Sequence, residues 1–199
     1  MTGDGVTELI IDAAERCFAD YGVAKTSMSQ VATEAEVSRT TLYRRFAEIE
    51  DVLQAVFVRE FDRFEERLAR CLAPLDDPAD RLVEIVVSTA ENVPDNSGVA
   101  RLVEGPRSGA EARALAVGRA ALNERVEAMI NEPLNELAAA GRLSPTLDRA
   151  QLIEWVRRIV LSLAVSPQPR SRSAAARRAH VAALLVPALC PQSHPIETV

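Results

Sequence analysis

Apolar residues recur at helical spacing along nearly the whole chain. In the first segment Leu9, Ile10, Ala13, Ala14, Cys17, Phe18 and Tyr21 form an i, i+4, i+8 stripe two residues wide, the mark of a helix with one buried side. Over residues 48–72 the stripe is Ile49, Val52, Leu53, Val56, Phe57, Phe61, Phe64, Leu68 and Leu72. At about 1.5 Å per residue that helix is roughly 36 Å long. This exceeds what a small three-helix module needs, so the helix is expected to connect two modules. Further helices are predicted at 79–93, 99–104, 110–140, 147–165 and 173–189, and Pro133 is expected to kink the long one or end it early. Sustained apolar–polar alternation is missing, and β-branched residues sit inside helix-period stripes, so no strand is predicted. The pattern predicts an all-α chain of about nine helices: a three-helix module over 1–47, a larger helical bundle over 48–189, and a flexible tail over 190–199, which has two prolines and no stripe.

Residues 26–46 carry the most specific pattern. Ser27 followed by Gln30 is a capping box, in which the hydroxyl takes an orphan amide and the Gln side chain reaches back. A short helix follows, with Met28, Val31 and Ala32 facing inward. Ala35, Glu36 and Val37 form a tight turn plugged by Val37. Ser38 caps a second short helix whose inward residues are Leu42 and Phe46. Two short helices joined by a tight turn, after a longer amphipathic helix, make a helix-turn-helix. The outward residues of the second helix are Arg39, Thr40, Thr41, Tyr43, Arg44 and Arg45. Guanidinium forks, hydroxyls and a phenol suit phosphate oxygens and base edges in a major groove, where arginine pairs two-pronged with guanine. Amides at the helix start, beside Ser38, favour a phosphate. Double-stranded DNA is the expected partner.

At these positions the chain resembles the TetR family of bacterial transcriptional regulators. The resemblance runs from Ala13, Ala14 and Phe18 through Tyr21-Gly22, Thr26-Ser27, Val31-Ala32 and Ala35 to Ser38, then Thr41-Leu42-Tyr43 and Phe46, over about 50 residues. It implies a homodimer with one DNA-reading module per subunit and an effector pocket in the C-terminal part. It also implies that Tyr43 and the region of Thr26 and Ser27 hold phosphates, while Arg39, Thr40, Thr41 and Arg44 approach the groove. Two positions depart from the family pattern. Glu36 stands where glycine is usual, so either it takes a left-handed conformation or the turn differs. Ile49 replaces the lysine that usually opens the fourth helix, which removes one phosphate contact.

Charge tempers this picture. The chain carries a formal net charge of −6. In its first 50 residues Arg16, Lys25, Arg39, Arg44 and Arg45 face nine acids, most of them on or near the first helix. A modest salt dependence of DNA binding is therefore expected, with specificity resting on few contacts. No apolar run reaches membrane-spanning length, and residues 1–12 lack a basic leader, so neither a membrane partner nor a secretory signal is expected. Cys17, Cys71 and Cys190 are odd in number and far apart, which fits a reducing cytoplasm. His180 and His194 have no ligand-spaced neighbour, so no metal and no cofactor are expected.

Aliphatic stripes in the C-terminal part, Leu82, Ile85, Val86, Thr89 and Val93 and then Leu115, Leu122, Val126, Met129 and Ile130, are mostly core. A cavity between them, walled by Ser88, Thr89, Asn92, Met129 and Trp155, would suit an apolar or acyl-like effector. Arg101, Arg107 and Arg119 are candidates to meet an anionic head group. The last two helices carry broad apolar faces, with Leu152, Val156, Ile159 and Leu163 on one and Val181, Leu184 and Leu185 on the other. Pairing across a two-fold axis would cover them, with His180 an interface residue. An enzyme is disfavoured, because no metalloprotease, hydrolase-elbow or phosphate-loop motif occurs. The remaining rival is a ligand-binding or interaction module that keeps this fold without reading DNA.

Overall fold

In the computed structural model, residues 3–92, 109–144, 148–165 and 173–190 are described, and among them the regular structure is helical throughout. The helices are α1 (Gly3–Tyr21), α2 (Met28–Glu34), α3 (Arg39–Tyr43), α4 (Ile49–Leu72), α5 (Pro78–Asn92), α6 (Gly109–Ala139), α7 (Arg149–Val165) and α8 (Ala174–Leu189). The short helix expected at 99–104 lies outside the described residues, as do Arg101, Arg107, the side chains of Asn92 and Arg119, and the tail beyond Cys190. No helix among the described residues is long and apolar enough to cross a membrane. The chain divides into two compact units, Met1–Arg63 with Asn96–Leu122, and Phe64–Asp95 with Asn123–Val199. The division falls inside α4, so the start of that helix groups with the N-terminal unit rather than with the bundle.

In the first unit, the predicted stripes become the core. Ile10, Ala13, Ala14, Cys17 and Phe18 of α1 pack with Met28, Val31 and Ala32 of α2, with Leu42 and Phe46, and with Val52, Leu53, Val56 and Phe57 of α4. Ile49 packs against this cluster from its edge, so the residue that replaces a basic side chain adds apolar contact instead. The capping box forms as expected: the Gln30 amide donates to Ser27 Oγ at 3.3 Å, and the Ser27 amide to Gln30 Oε1 at 2.8 Å. Backbone amides of Ala47 and Glu48 donate to Asp51 Oδ2 at 2.9 and 3.1 Å, which closes the start of α4.

The turn after α2 settles the question that Glu36 posed. Glu36 has φ 52°, the left-handed region. Its amide donates to Thr33 O at 3.1 Å and that of Val37 to Ala32 O at 3.0 Å, the paired bonds of a Schellman stop. Gly141 does the same at the end of α6 with φ 65°, where its missing Cβ makes the conformation inexpensive. A side chain there costs about 1 kcal/mol. Glu36→Gly is therefore expected to raise unfolding stability by up to about 1 kcal/mol, partly offset by the greater freedom of glycine in the unfolded chain. Denaturant titration measures this, and a loss of stability would contradict the turn geometry.

In the second unit, α5 packs against both α7 and α8. Leu82, Val83, Ile85, Val86 and Val87 are all buried, so α5 is enclosed on most sides. Asp77 caps it, accepting from the Ala79 amide at 2.7 Å, and Pro78 occupies the first helical position. Pro133 does not end α6, which runs on to Ala139. Buried Ile130, Leu134 and Leu137 on either side of the proline supply packing that outweighs one missing backbone donor. The expected dimer face needs a larger correction. Leu152, Val156, Val181 and Leu185 are buried within the single chain, Ile159 and Leu163 are half-buried, and only Leu184 is openly exposed, at 65%. The apolar stripes of α7 and α8 are satisfied by α5, a partner that periodicity alone does not reveal.

A buried charge joins these helices. The side chain of Glu84, on α5, is only 5% exposed. It accepts from Arg178 of α8 through both guanidinium Nε and Nη2, the latter at 3.0 Å, and from the Ser88 hydroxyl at 2.7 Å. Hydrogen bonding to Arg178 holds its carboxyl below the usual glutamate range. Burial opposes that shift, and Ser88 assists it. Arg177 pairs with Glu91 beside it.

Candidate nucleic-acid interface

The surface of α3 is built from behind. Leu42 is fully buried and Phe46 nearly so, which fixes the rotation of this short helix. Ser38 caps it by accepting from the Thr41 amide at 3.0 Å, and the two hydroxyls meet at 2.8 Å. With that side anchored, Arg39, Thr40, Tyr43 and Arg44 are all exposed. Among the described residues none of these four makes a side-chain hydrogen bond or ion pair. Two guanidinium groups, a hydroxyl and a phenol thus stand ready for an external partner, and no carboxylate among the described residues pairs with them.

Other expected contacts are used differently. Thr26 is buried, and its hydroxyl donates to Gly22 O at 2.9 Å and to Cys17 O at 3.2 Å. Thr26 thereby ties the turn at Gly22 back to α1, and its side chain is not turned toward a phosphate. The Ser27 hydroxyl is exposed but engaged with Gln30, and Thr41 is half-buried against Ser38. Arg45 turns back to α1, donating from Nη1 to Thr7 Oγ1 at 2.8 Å. It leaves the set of free cations.

The acidity of the first helix also finds its partner. Arg59 of α4, with a side chain 12% exposed, donates to Asp12 at 2.6 Å and to Glu8 and Glu15 at 3.1 Å each. Burial works against its charge, and the carboxylates of Glu15, Glu8 and Asp12 more than compensate, so its pKa stays raised. Arg63 adds a bond to Glu15 at 3.2 Å, and Arg16 pairs with Glu34 of α2 at 2.6 Å. Counting charges over residues 1–50 missed Arg59 and Arg63. The signal was present as acids at i, i+4 and i+7 on α1, facing arginines at i and i+4 on α4.

In the C-terminal part, the residues expected to wall a pocket differ in exposure. Trp155 lies on the outside of α7, 41% exposed, so it does not line an enclosed cavity. Ser88 and Thr89 are half-buried, with hydroxyls given to Glu84 and to the Ile85 carbonyl. Met129 is half-buried.

Comparison with known proteins matches this geometry. The family described as bacterial regulatory proteins, tetR family, matches residues 10–56, the stretch that runs from the α1 stripe into α4. A helix-turn-helix transcriptional regulator of Mycobacterium tuberculosis is 32% identical over 186 residues, covering 92% of this chain and 85% of its own. Among solved structures, a tetR-family regulator of a Shewanella species superposes with a TM-score of 0.69 at 18% identity, covering 94% of this chain and 99% of its own. The regulator FadR of Bacillus subtilis, solved in complex with stearoyl-CoA, gives 0.63 at 19% identity, over 91% of this chain and 98% of its own. Exposed cations on a helix-turn-helix whose core matches the family over α1 to α4, together with a relative matched across most of both chains, lead to one conclusion: this chain belongs to the TetR family of DNA-binding transcriptional regulators.

Proposed function

We propose that the protein is a ligand-responsive dimeric repressor that binds a near-palindromic operator and is released by a small apolar or acyl-like effector. The observation that carries the DNA-reading part is the exposed, uncommitted set Arg39, Thr40, Tyr43 and Arg44 on one short helix. Residues 1–47 would read DNA, with the bundle over 48–189 holding the effector and the second subunit. Two α3 helices in successive major grooves would make the protein's two-fold symmetry and that of the operator coincide. Arg39 and Arg44 would reach base edges and Tyr43 a phosphate, in the cytoplasm where the chromosome lies. An aliphatic bundle with a single tryptophan suits a flexible chain better than a planar ring, and the superposed FadR was solved with stearoyl-CoA. Thousandfold release needs roughly 4 kcal/mol of preferential effector binding to the non-DNA state. A few hundred Å² of buried acyl surface supplies that.

Footprinting of the region upstream of the gene, with and without stearoyl-CoA, tests this reading. Protection lost on addition of the thioester supports it. Protection unchanged by acyl-CoAs of every chain length removes the acyl assignment and leaves DNA reading intact.

For the dimer, exposed residues on these helices include Trp155 on α7 and His180, Ala183, Leu184, Pro187 and Ala188 on α8. Leu184→Arg is expected to give a folded monomer in sedimentation with operator affinity much reduced. Leu185→Ala, at a site buried within the chain, should instead lower stability by about 2–4 kcal/mol without dissociation. A Leu184→Arg protein that remains dimeric would rule out this face.

A further inference from the structure

We propose that Arg45 and Arg59 are positioning residues for DNA reading, acting through α1 and without touching DNA themselves. The inference rests on the reading of α3 as the DNA-contacting helix. Arg45 stands two residues past the end of α3, just after its C-cap Arg44, and its Nη1 donates to Thr7 Oγ1, near the start of α1, at 2.8 Å. Thr7 is adjacent to Glu8, which accepts from Arg59 at 3.1 Å, and one and two turns further along α1 stand Asp12 and Glu15, bound by the same guanidinium. The route therefore runs from α4 through three carboxylates on α1 to a hydroxyl one residue away, and from there to the end of the recognition helix.

Geometry gives these bonds their role. At five residues, α3 is too short to hold its own direction. Leu42 and Phe46 fix its rotation from one side, while the Ser38–Thr41 cap fixes its beginning. Its end is tied only by the Arg45–Thr7 bond among the side-chain bonds described. Base readout demands placement of arginine forks to within a fraction of an ångström, so a tether at that end sets whether Arg44 meets a base edge. Arg59 is a second tether on α1, bound to the carboxylates of Glu8, Asp12 and Glu15. Its stem lies in the α1–α4 packing with 12% exposure, and its fork spans three successive turns of α1. A displacement of α4 would thus move α1, and α1 would carry Thr7 and the end of α3 with it.

The test uses the full chain and a duplex selected from a random pool by the unaltered protein, with affinity measured across a salt series. Thr7→Val and Arg45→Ala should each weaken binding about tenfold, and the double variant no more than either alone. The salt slope should stay unchanged in all three, because no phosphate contact is lost. A phosphate contact by Arg45 in each subunit would lower the slope by about two in Arg45→Ala and leave Thr7→Val at full affinity. Either outcome overturns the inference. Arg59→Lys keeps a charge and a stem but not the three-way fork, and should weaken operator binding while melting stays cooperative. Full operator affinity in Arg59→Lys, alongside a lowered melting temperature, would mark the cluster as structural only. Failure of the unaltered protein to enrich any duplex would instead remove the underlying reading.

Discussion

Replacing Arg178 by alanine is expected to destabilise the protein by about 3 kcal/mol, while Glu84→Gln should cost nearer 1 kcal/mol. The asymmetry follows from where each charge sits. Without Arg178, the Glu84 carboxylate stays enclosed in α5 with one hydroxyl for company, Ser88. Without the Glu84 charge, Arg178 is already 44% open and turns to water. The removal cost falls at the low end of that for buried pairs for the same reason. Acid titration sharpens the test. In the unaltered protein the Glu84 carboxyl lies below its ordinary value of 4.5, so its contribution is present above that pH and is lost as pH falls through the folded value. In Arg178→Ala, burial acts with little opposition and raises the carboxyl, so the sign reverses. That variant gains relative stability toward acid and loses it as pH rises. Thermal melts of the unaltered protein and of Arg178→Ala, each compared with Glu84→Gln from about pH 3 to 7, would show differences of opposite slope, and parallel curves would contradict the buried-pair account.

The second large effect concerns DNA. Arg39→Ala combined with Arg44→Ala should reduce operator affinity by about a thousandfold or more, since each lost fork is worth roughly 1–3 kcal/mol and the proposed dimer would lose four of them. Arg44→Ala alone should relax base preference at one position per half-site. Tyr43→Phe should weaken operator and random duplex alike, because a phosphate contact carries no sequence information. Neither arginine contributes to the core, so melting temperatures should stay within a degree or two of the unaltered protein. Equal losses on operator and random duplex for Arg44→Ala would make it a phosphate contact instead.

Local rules in the sequence carried far where the structure is local. The capping box at Ser27 and Gln30, the inward set Met28, Val31, Ala32, Leu42 and Phe46, and the stripe from Ile49 to Leu68 all follow from residues a turn apart. What required the third dimension was the choice of partner for each face. Val156 and Leu185 looked like surfaces awaiting a second subunit because periodicity reveals that a helix has a buried side, and not what buries it. Thr26 was misplaced for a related reason, and Arg45 makes a bond to Thr7 that its type does not reveal. A hydroxyl near a DNA-reading helix serves DNA or the fold equally well by type, and only the bonds to Cys17 O and Gly22 O decide for Thr26. Glu36 is the opposite case. Its oddity was visible in sequence as a missing glycine, and its resolution is a single backbone angle.

The measurement closest to the central claim is selection of duplex from a random pool, followed by binding of the enriched sequence to the unaltered protein and to the Arg39→Ala, Arg44→Ala double variant. The account predicts enrichment of a near-palindrome with two half-sites a whole number of helical turns apart, bound by two subunits and lost in the double variant. A pool that returns no common sequence, or one that the double variant retains at full affinity, would contradict it.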